Sequence, residues 1–282
     1  MSWVWLNGQL VDKLHASVNV FDHGFLYCDG VWEHLRMIHS QIIAYDVHSR
    51  HLFQAAAALG IDIPYSHSEL ESAILSTATE NQRTNAYVRI IVTRGVGTIG
   101  PDPRKLDPQV IIIVEEYQPF PRELYGYGLH TVISPLSLDL DNPAHRYRTL
   151  NQLHIVQAKR YALTHGCLEA LFPTRQGHLV CSTEGCLWAV QRGQIIAAAG
   201  QPENATFDFF RTWLHRSSCT TLEQALTLTE LVTMDEVFIV GTACGIIGIV
   251  RIDGATIGSG TEGSVTRSLR DDFERFTQTS SR

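Results

Sequence analysis

An α+β protein in two unequal parts is the fold class this sequence predicts, and three observations predict it. Strand-like apolar runs alternate with stretches of near-3.6 periodicity. A proline-rich break, Tyr117-Gln118-Pro119-Phe120-Pro121, reads as a linker, and the composition changes after it. A chain of 282 residues, 44% hydrophobic and 18% charged, can bury a large core and build one or two domains. The expected boundaries are a small N-terminal α+β domain over 1–116, an interdomain loop over 117–128 and a larger C-terminal domain over 129–282.

The elements follow in order. Trp3-Val4-Trp5-Leu6 leads into Asn7-Gly8, a strong hairpin signal. Residues 48–59 read as a helix whose alanine run ends at the stop signal Gly60. Ser68-Glu69-Leu70-Glu71 opens a second helix, with Ser68 as its N-cap. Strands are expected over 86–93 and 110–115, joined by a Gly/Pro-rich loop. In the second half, 129–134 reads as a strand, and Thr149 to Thr164 as a helix from the spacing of Leu150, Leu153, Val156 and Ala158. Strands over 179–190 and 194–198 flank the turn Arg192-Gly193. A short helix over 206–215 has Phe207, Phe209, Phe210 and Trp213 as core, strands follow over 236–241 and 246–252, and a helix over 264–276 closes the chain.

The formal charge of −7 argues against nucleic-acid or anionic-membrane partners, which need a basic surface. No apolar run reaches the roughly 18 residues a membrane span requires. The start, Met-Ser-Trp-Val-Trp, has neither the basic onset nor the apolar core of a signal peptide, so a cytoplasmic location is expected. Six cysteines in so long a chain are read as reduced thiols. Thirteen scattered histidines show no H-x-x-x-H pair, and no metal site is expected.

Four stretches carry a resemblance. Phe21-Asp22-His23-Gly24-Phe25-Leu26-Tyr27-Cys28-Asp29-Gly30-Val31-Trp32-Glu33-His34-Leu35-Arg36 is similar to a D-x-G-F-x-Y-G-D-G-[VF]-F-E-x-[IL]-R run. Thr93-Arg94-Gly95-Val96-Gly97 is similar to a T-R-G-x-G loop. Thr149-Leu150-Asn151-Gln152-Leu153 and Asp235-Glu236-Val237-Phe238-Ile239-Val240-Gly241-Thr242-Ala243 complete the set. Together they resemble the class IV (fold type IV) pyridoxal-phosphate enzymes, which include branched-chain and D-amino-acid aminotransferases and aminodeoxychorismate lyases. The resemblance implies a small α/β-sandwich domain, a larger pseudo-barrel domain and a homodimer.

It also implies positions that this chain departs from. The family's Schiff-base lysine precedes [ST]-L-N-x-L, and here Arg148 stands there. A guanidinium with a pKa above about 12 offers no free nucleophilic nitrogen. The glutamate that faces the pyridine nitrogen aligns with Cys181, and a following asparagine with Cys186; Glu184 is three residues away. The phosphate-binding arginine, three residues after a helix histidine, aligns with His51 after His48. The L-P-G-[IV]-T turn aligns with Glu203-Asn204-Ala205-Thr206, leaving Thr206 and the later Gly241-Thr242. Lys105, Lys159 and Lys13 are the only lysines. Lys105 lies in a loop that approaches the site in the family; Lys159, eleven residues beyond Arg148 on one expected helix, would be roughly 16 Å away.

Joint loss of these positions predicts that pyridoxal-phosphate chemistry is no longer run and that no cofactor is needed. The expected function is binding of a small anionic, carboxylated or amino-acid-like ligand in the old cavity, or an altered cofactor-independent reaction. Arg148 and Tyr27 are the candidate catalytic residues, and Arg36, Arg94, Thr206, Thr242, Cys181 and Cys186 the candidate ligand contacts. Arg36 and Arg94 could clamp a carboxylate or hold the fold through buried ion pairs. Arg148 could anchor an anion or fill vacated space, pairing with Glu184 or Asp29. By the resemblance Cys28 and Cys244 join Cys181 and Cys186 around the cavity, as packing or as a thiol site. Two readings compete with this one: a working pyridoxal-phosphate aminotransferase or aminodeoxychorismate lyase using Lys105, and a structural partner of an intact paralogue.

Overall fold

The computed structural model describes residues 2–104, 106–118 and 120–279. Lys105 and Pro119 of the linker lie outside them. The chain forms two compact units. The first runs to Gln118 and also takes in Pro143–Asn151; the second comprises Pro119–Asn142 and Gln152–Thr279. Residues 143–151, assigned from sequence to the larger part, thus belong with the first.

The first unit begins with β1 (Trp3–Leu6) and β2 (Gln9–Asp12), turned by Asn7-Gly8, both at positive φ. Then come α1 (His23–Tyr27), β3 (Gly30–Ile38), β4 (Gln41–Ile42), α2 (Tyr45–Ala58), α3 (His67–Glu80), β5 (Ala86–Thr93) and β6 (Gln109–Glu116). The six strands form an antiparallel sheet in the order β2-β1-β6-β5-β3-β4. One face packs Val31, Leu35, Met37, Val88, Ile90, Val92 and Ile112 against Leu52 and Ala55 of α2 and Leu70 and Ile74 of α3. Side chains alternate across a strand, so Glu33 is carried toward α2, while Trp32, His34 and Arg36 emerge on the other face. There they stand opposite Ile91, Arg89 and Tyr87 of β5.

Helix α2 starts three residues before the expected His48. Helix α3 is capped by Ser66, not Ser68: Ser66 and Glu69 exchange side-chain and backbone hydrogen bonds in a capping box.

Helix α4 (Arg122–Tyr127) and strand β7 (Leu129–Ile133) belong to the second unit, after which α5 (Pro143–Arg146) returns to the first. Thr149, expected in a helix, instead bridges Val31 in an antiparallel ladder. Trp32 N donates to Arg148 O at 2.9 Å and Leu150 N to Gly30 O at 2.9 Å. A long-range strand contact thus overrides a helical apolar period. Gly30 is required because a Cβ there would lie 2.5 Å from Val92 O and 2.6 Å from Leu150 Cδ1.

The second unit continues with α6 (Leu153–Thr164), β8 (Glu169–Pro173), β9 (Leu179–Ser182), β10 (Cys186–Gln191), β11 (Gln194–Ala198), α7 (Ala205–Arg216), β12 (Thr221–Gln224), α8 (Leu228–Leu231), β13 (Glu236–Gly241), β14 (Gly245–Ile252), β15 (Ala255–Thr256) and α9 (Ser264–Thr279). Its sheet runs β12-β11-β10-β13-β14-β7-β8-β9, and β9 pairs again with β10. Strands β10, β13, β14, β7, β8 and β9 therefore close a ring, the barrel-like part of the fold. Under α7 and α9 lies an aromatic core in which Trp188 meets Phe210 edge-on at 5.1 Å, and Phe210 meets Phe273 at 5.5 Å.

Two glycines of the first unit separate two costs. Gly60 has φ +63° with open space around a Cβ, whereas Gly95 has φ +107° and its Cβ would lie 2.0 Å from Asp107 O. Gly60→Ala is expected to cost about 1–2 kcal/mol. Gly95→Ala should exceed about 3 kcal/mol, because backbone must move as well. Urea unfolding midpoints followed by circular dichroism check the order; equal costs would refute the steric account.

Candidate functional site

In the first unit Asp22 caps α1, accepting from Gly24 N at 2.7 Å and from Thr93 Oγ1 at 2.7 Å. Gly24 is confined because its Cβ would lie 2.6 Å from Thr93 Cγ2. The Asp-x-Gly signature thus pins α1 to the end of β5. Tyr27, on this helix, is 42% exposed and stacks edge-on against His23 at 5.0 Å. Cys28 follows as the left-handed C-cap with φ 57° and is exposed, so it lines no buried pocket of this unit.

Arg94 serves the fold. Nε and one Nη hold Asp29 at 2.9 and 3.1 Å, and the two Nη atoms also donate to Gly60 O at 2.5 Å and Leu59 O at 2.6 Å. With these donors committed, the structural alternative is the one its geometry supports. Arg36 differs: its guanidinium carbon lies 4.3 Å from the centre of the Tyr117 ring, and its Nε is buried without a hydrogen-bond partner.

Arg148 pairs with neither Glu184 nor Asp29. Its Nε lies 3.4 Å from Glu33 Oε1, an ion pair whose geometry falls short of a hydrogen bond. His48 Nδ1 from α2 approaches the same oxygen at 3.4 Å, and His34 N donates to it at 2.9 Å. Glu33 is 1% exposed. Burial alone would raise its pKa, but Arg148, His48 and the His34 amide together outweigh that and hold it below the usual carboxylate range.

Around this pair gathers a basic, aromatic cluster that sequence reading missed. The guanidinium carbons of Arg89 and Arg148 lie 4.4 and 5.0 Å from the Trp32 ring centre. The Trp32 indole donates to Thr149 O at 3.0 Å, fixing the ring. Tyr87 Oη contacts His34 Nδ1 and accepts from Arg89 at 3.4 Å. The Nε atoms of Arg89 and Arg148 and Nε2 of His34 are buried without hydrogen-bond partners. Burial, then Arg148, His48 and Arg89, push His34 well below its ordinary 6.5, so it stays neutral. The available signal was the two-residue period of a strand: Arg89 stands between Val88 and Ile90, and His34 shares a face with Trp32 and Arg36.

In the second unit Thr206 and Thr242 do meet, with their hydroxyl oxygens 2.5 Å apart. They stand at the N-terminus of α7, where Asn204 Oδ1 accepts from Thr206 N at 2.9 Å and Phe207 N at 3.2 Å. Cys181 and Cys186 are directly paired across β9 and β10, and both are buried. Glu184 lies in the turn between those strands rather than on one, 3.6 Å from Lys159 Nζ. Lys159 also pairs with the buried Glu169, which accepts from Thr183 Oγ1 at 2.5 Å. Arg148 and Lys159 thus share neither a helix nor a unit, and the helical separation expected between them does not apply.

Pyridoxal phosphate, held as the resemblance implies, needs an amine, a carboxylate for its pyridine nitrogen and donors for its phosphate. Residue 148 is a guanidinium tied to Glu33, and Cys181 supplies no charge. The α7 amides that would face a phosphate already bond Asn204, and two hydroxyls are what remains. Among the described residues no three His, Cys, Asp or Glu side chains could hold a metal, and no helix is long and apolar enough to cross a membrane. At position 148 the residue present does not supply the imine-forming amine that the resemblance implies.

Comparison with known proteins sets this site in its frame. Residues 30–252 match the model of the amino-transferase class IV family. A putative branched-chain-amino-acid aminotransferase of Methanocaldococcus jannaschii is 34% identical, over 96% of this chain and 95% of its own. A D-alanine aminotransferase of Bacillus licheniformis is 28% identical, over 95% and 94%. The branched-chain aminotransferase of Thermoproteus uzoniensis, solved with norvaline, superposes with a TM-score of 0.90 at 24% identity, covering 99% of this chain and 95% of that one. Mixed sheets, a closed ring of strands and a match over nearly the whole length agree: this chain belongs to the class IV aminotransferase family.

Proposed function

We propose that this class IV aminotransferase-like protein binds a small carboxylate-bearing anion through the cluster around Trp32, and that residue 148 takes no part in imine exchange. The observation that carries the reading is the Arg148–Glu33 pair with its surroundings. Arg36, Arg89 and Arg148 are three permanent cations, whereas Glu33 is one carboxylate, so the cluster is short of negative charge. Unpartnered Nε atoms on Arg36 and Arg89 supply directed donors for such a ligand, and neutral His34 adds its Nε2. A guanidinium over an aromatic face is held in orientation before the ligand arrives.

A second reading, a pyridoxal-phosphate-dependent aminotransferase acting on branched-chain or D-amino acids, is supported by the full-length relatives. It requires an amine other than residue 148. Lys13 is paired with Glu115 and Lys159 with Glu169, which leaves Lys105 as the lysine to test.

Three measurements decide. Titration with pyridoxal phosphate is expected to give no borohydride-reducible imine in the wild type. A stable adduct abolished by Lys105→Ala would favour the second reading. Calorimetry with succinate should show salt-sensitive binding that weakens about 10–100-fold in Arg89→Met, the range for a lost charge-assisted hydrogen bond; unchanged affinity would refute the anion site. Finally, a histidine with a depressed folded pKa contributes stability that is full above its unfolded value near 6.5 and is lost as pH falls below it. His34→Gln should therefore flatten the decline of unfolding free energy between about pH 6.5 and 5. A parallel decline in both proteins would remove His34 from the account.

A further inference from the structure

The pairing that closes the ring of the second unit rests on one register pair, Cys186 against Cys181. Ser182 N donates to Gly185 O at 2.7 Å across the intervening two-residue turn. That bond makes 182 and 185 a hydrogen-bonded pair, so 181 and 186 form the adjacent non-hydrogen-bonded one. Directly opposed residues of this kind have Cα atoms about 4.5 Å apart, inside the roughly 4.4–6.8 Å window of a disulfide. Both side chains lie on one face of the hairpin, and the turn already holds them together. We propose that Cys181 and Cys186 form a reversible disulfide that staples the seam between β9 and β10.

The neighbouring Cys244 stands outside this register, in the turn between β13 and β14. Cys181, at 9%, is more open than Cys186 at 1%, so it is the point of entry.

The oxidant is a low-molecular-weight disulfide such as oxidised glutathione. The Cys181 thiolate attacks one of its sulfurs, breaking that S–S bond and releasing one thiolate. The Cys186 thiolate then attacks the Cys181 sulfur of the mixed disulfide, forming the protein bond and releasing the second. Two protein thiols are oxidised, one small disulfide is reduced to two thiols, and the cysteine protons finish on those thiols. The bond spans the turn holding Thr183 and Glu184, which meet Glu169 and Lys159 respectively.

The test uses the native full chain. After incubation with oxidised glutathione, free thiols are alkylated and the protein is digested with trypsin. Both cysteines fall in one peptide, residues 176–192, bounded by Arg175 and Arg192. The expected peptide is unalkylated and about 2 Da lighter than its reduced form, recovers two alkylation sites after dithiothreitol, and persists in Cys244→Ser. Oxidised wild type should also melt higher than reduced, with no such shift in Cys181→Ser. A doubly alkylated peptide, a glutathione adduct that Cys186 never resolves, or a link from either cysteine to Cys244 would each overturn the proposal.

Discussion

A carboxylate buried in the first unit organises much of what surrounds it. Glu33 lies at 1% exposure on the face of β3 that packs against α2. A buried charge without partners costs several kcal/mol, far more than one surface contact returns. The chain meets this demand from three places: His48 on α2, the amide of His34, and Arg148 on a segment more than a hundred residues later. The return of Pro143–Asn151 to the first unit, with its ladder onto Gly30 and Trp32, places that last partner. The fold and the charge pair are one arrangement: β3 sets the register, and the register decides which side chains share the guanidinium.

The same strand alternation that buries Glu33 presents Trp32, His34 and Arg36 on the opposite face, beside Arg89 and Tyr87. Arginine rather than lysine at 148 fixes the character of this region. A lysine can give up its proton and become a nucleophile; a guanidinium keeps its charge and delivers planar donors. His34, surrounded by cations, stays neutral and adds a donor or acceptor without adding charge. Together these residues concentrate positive charge and planar donors on one face of the sheet, and no described residue among them supplies a neutral amine.

Much of the fold was legible because its signals are local. Asn7-Gly8, Asp22 with Gly24, and the period of α7 each encode a contact within a few residues or a steric need of one glycine. What was not legible depended on distance. Thr149 and Leu150 continue a helical period, yet pair with β3 from across the sequence, and no local propensity encodes that. Arg94 looked like a ligand clamp until Asp29 and two carbonyls of the turn after α2 claimed its donors. Arg89 drew no notice because it is the one charged residue of an apolar strand, and His34 because it is flanked by the motif residues Glu33 and Leu35. Their meaning came only when the register set them side by side.

The second unit shows the converse of Glu33. An unpaired carboxylate inside a closed sheet would be costly, and Cys181, buried there, carries no such charge. The first turn of a helix leaves amides without intrahelical partners, and at the buried start of α7 Asn204 accepts from two of them. Thr206 and Thr242 share one hydrogen bond through their hydroxyls. These contacts are local to the N-terminus of α7 and the turn after β13. The first unit, by contrast, leaves guanidinium and imidazole nitrogens without acceptors. Unpartnered Nε atoms of Arg36 and Arg89 and Nε2 of His34 gather on the face of β3 and β5 beside Trp32.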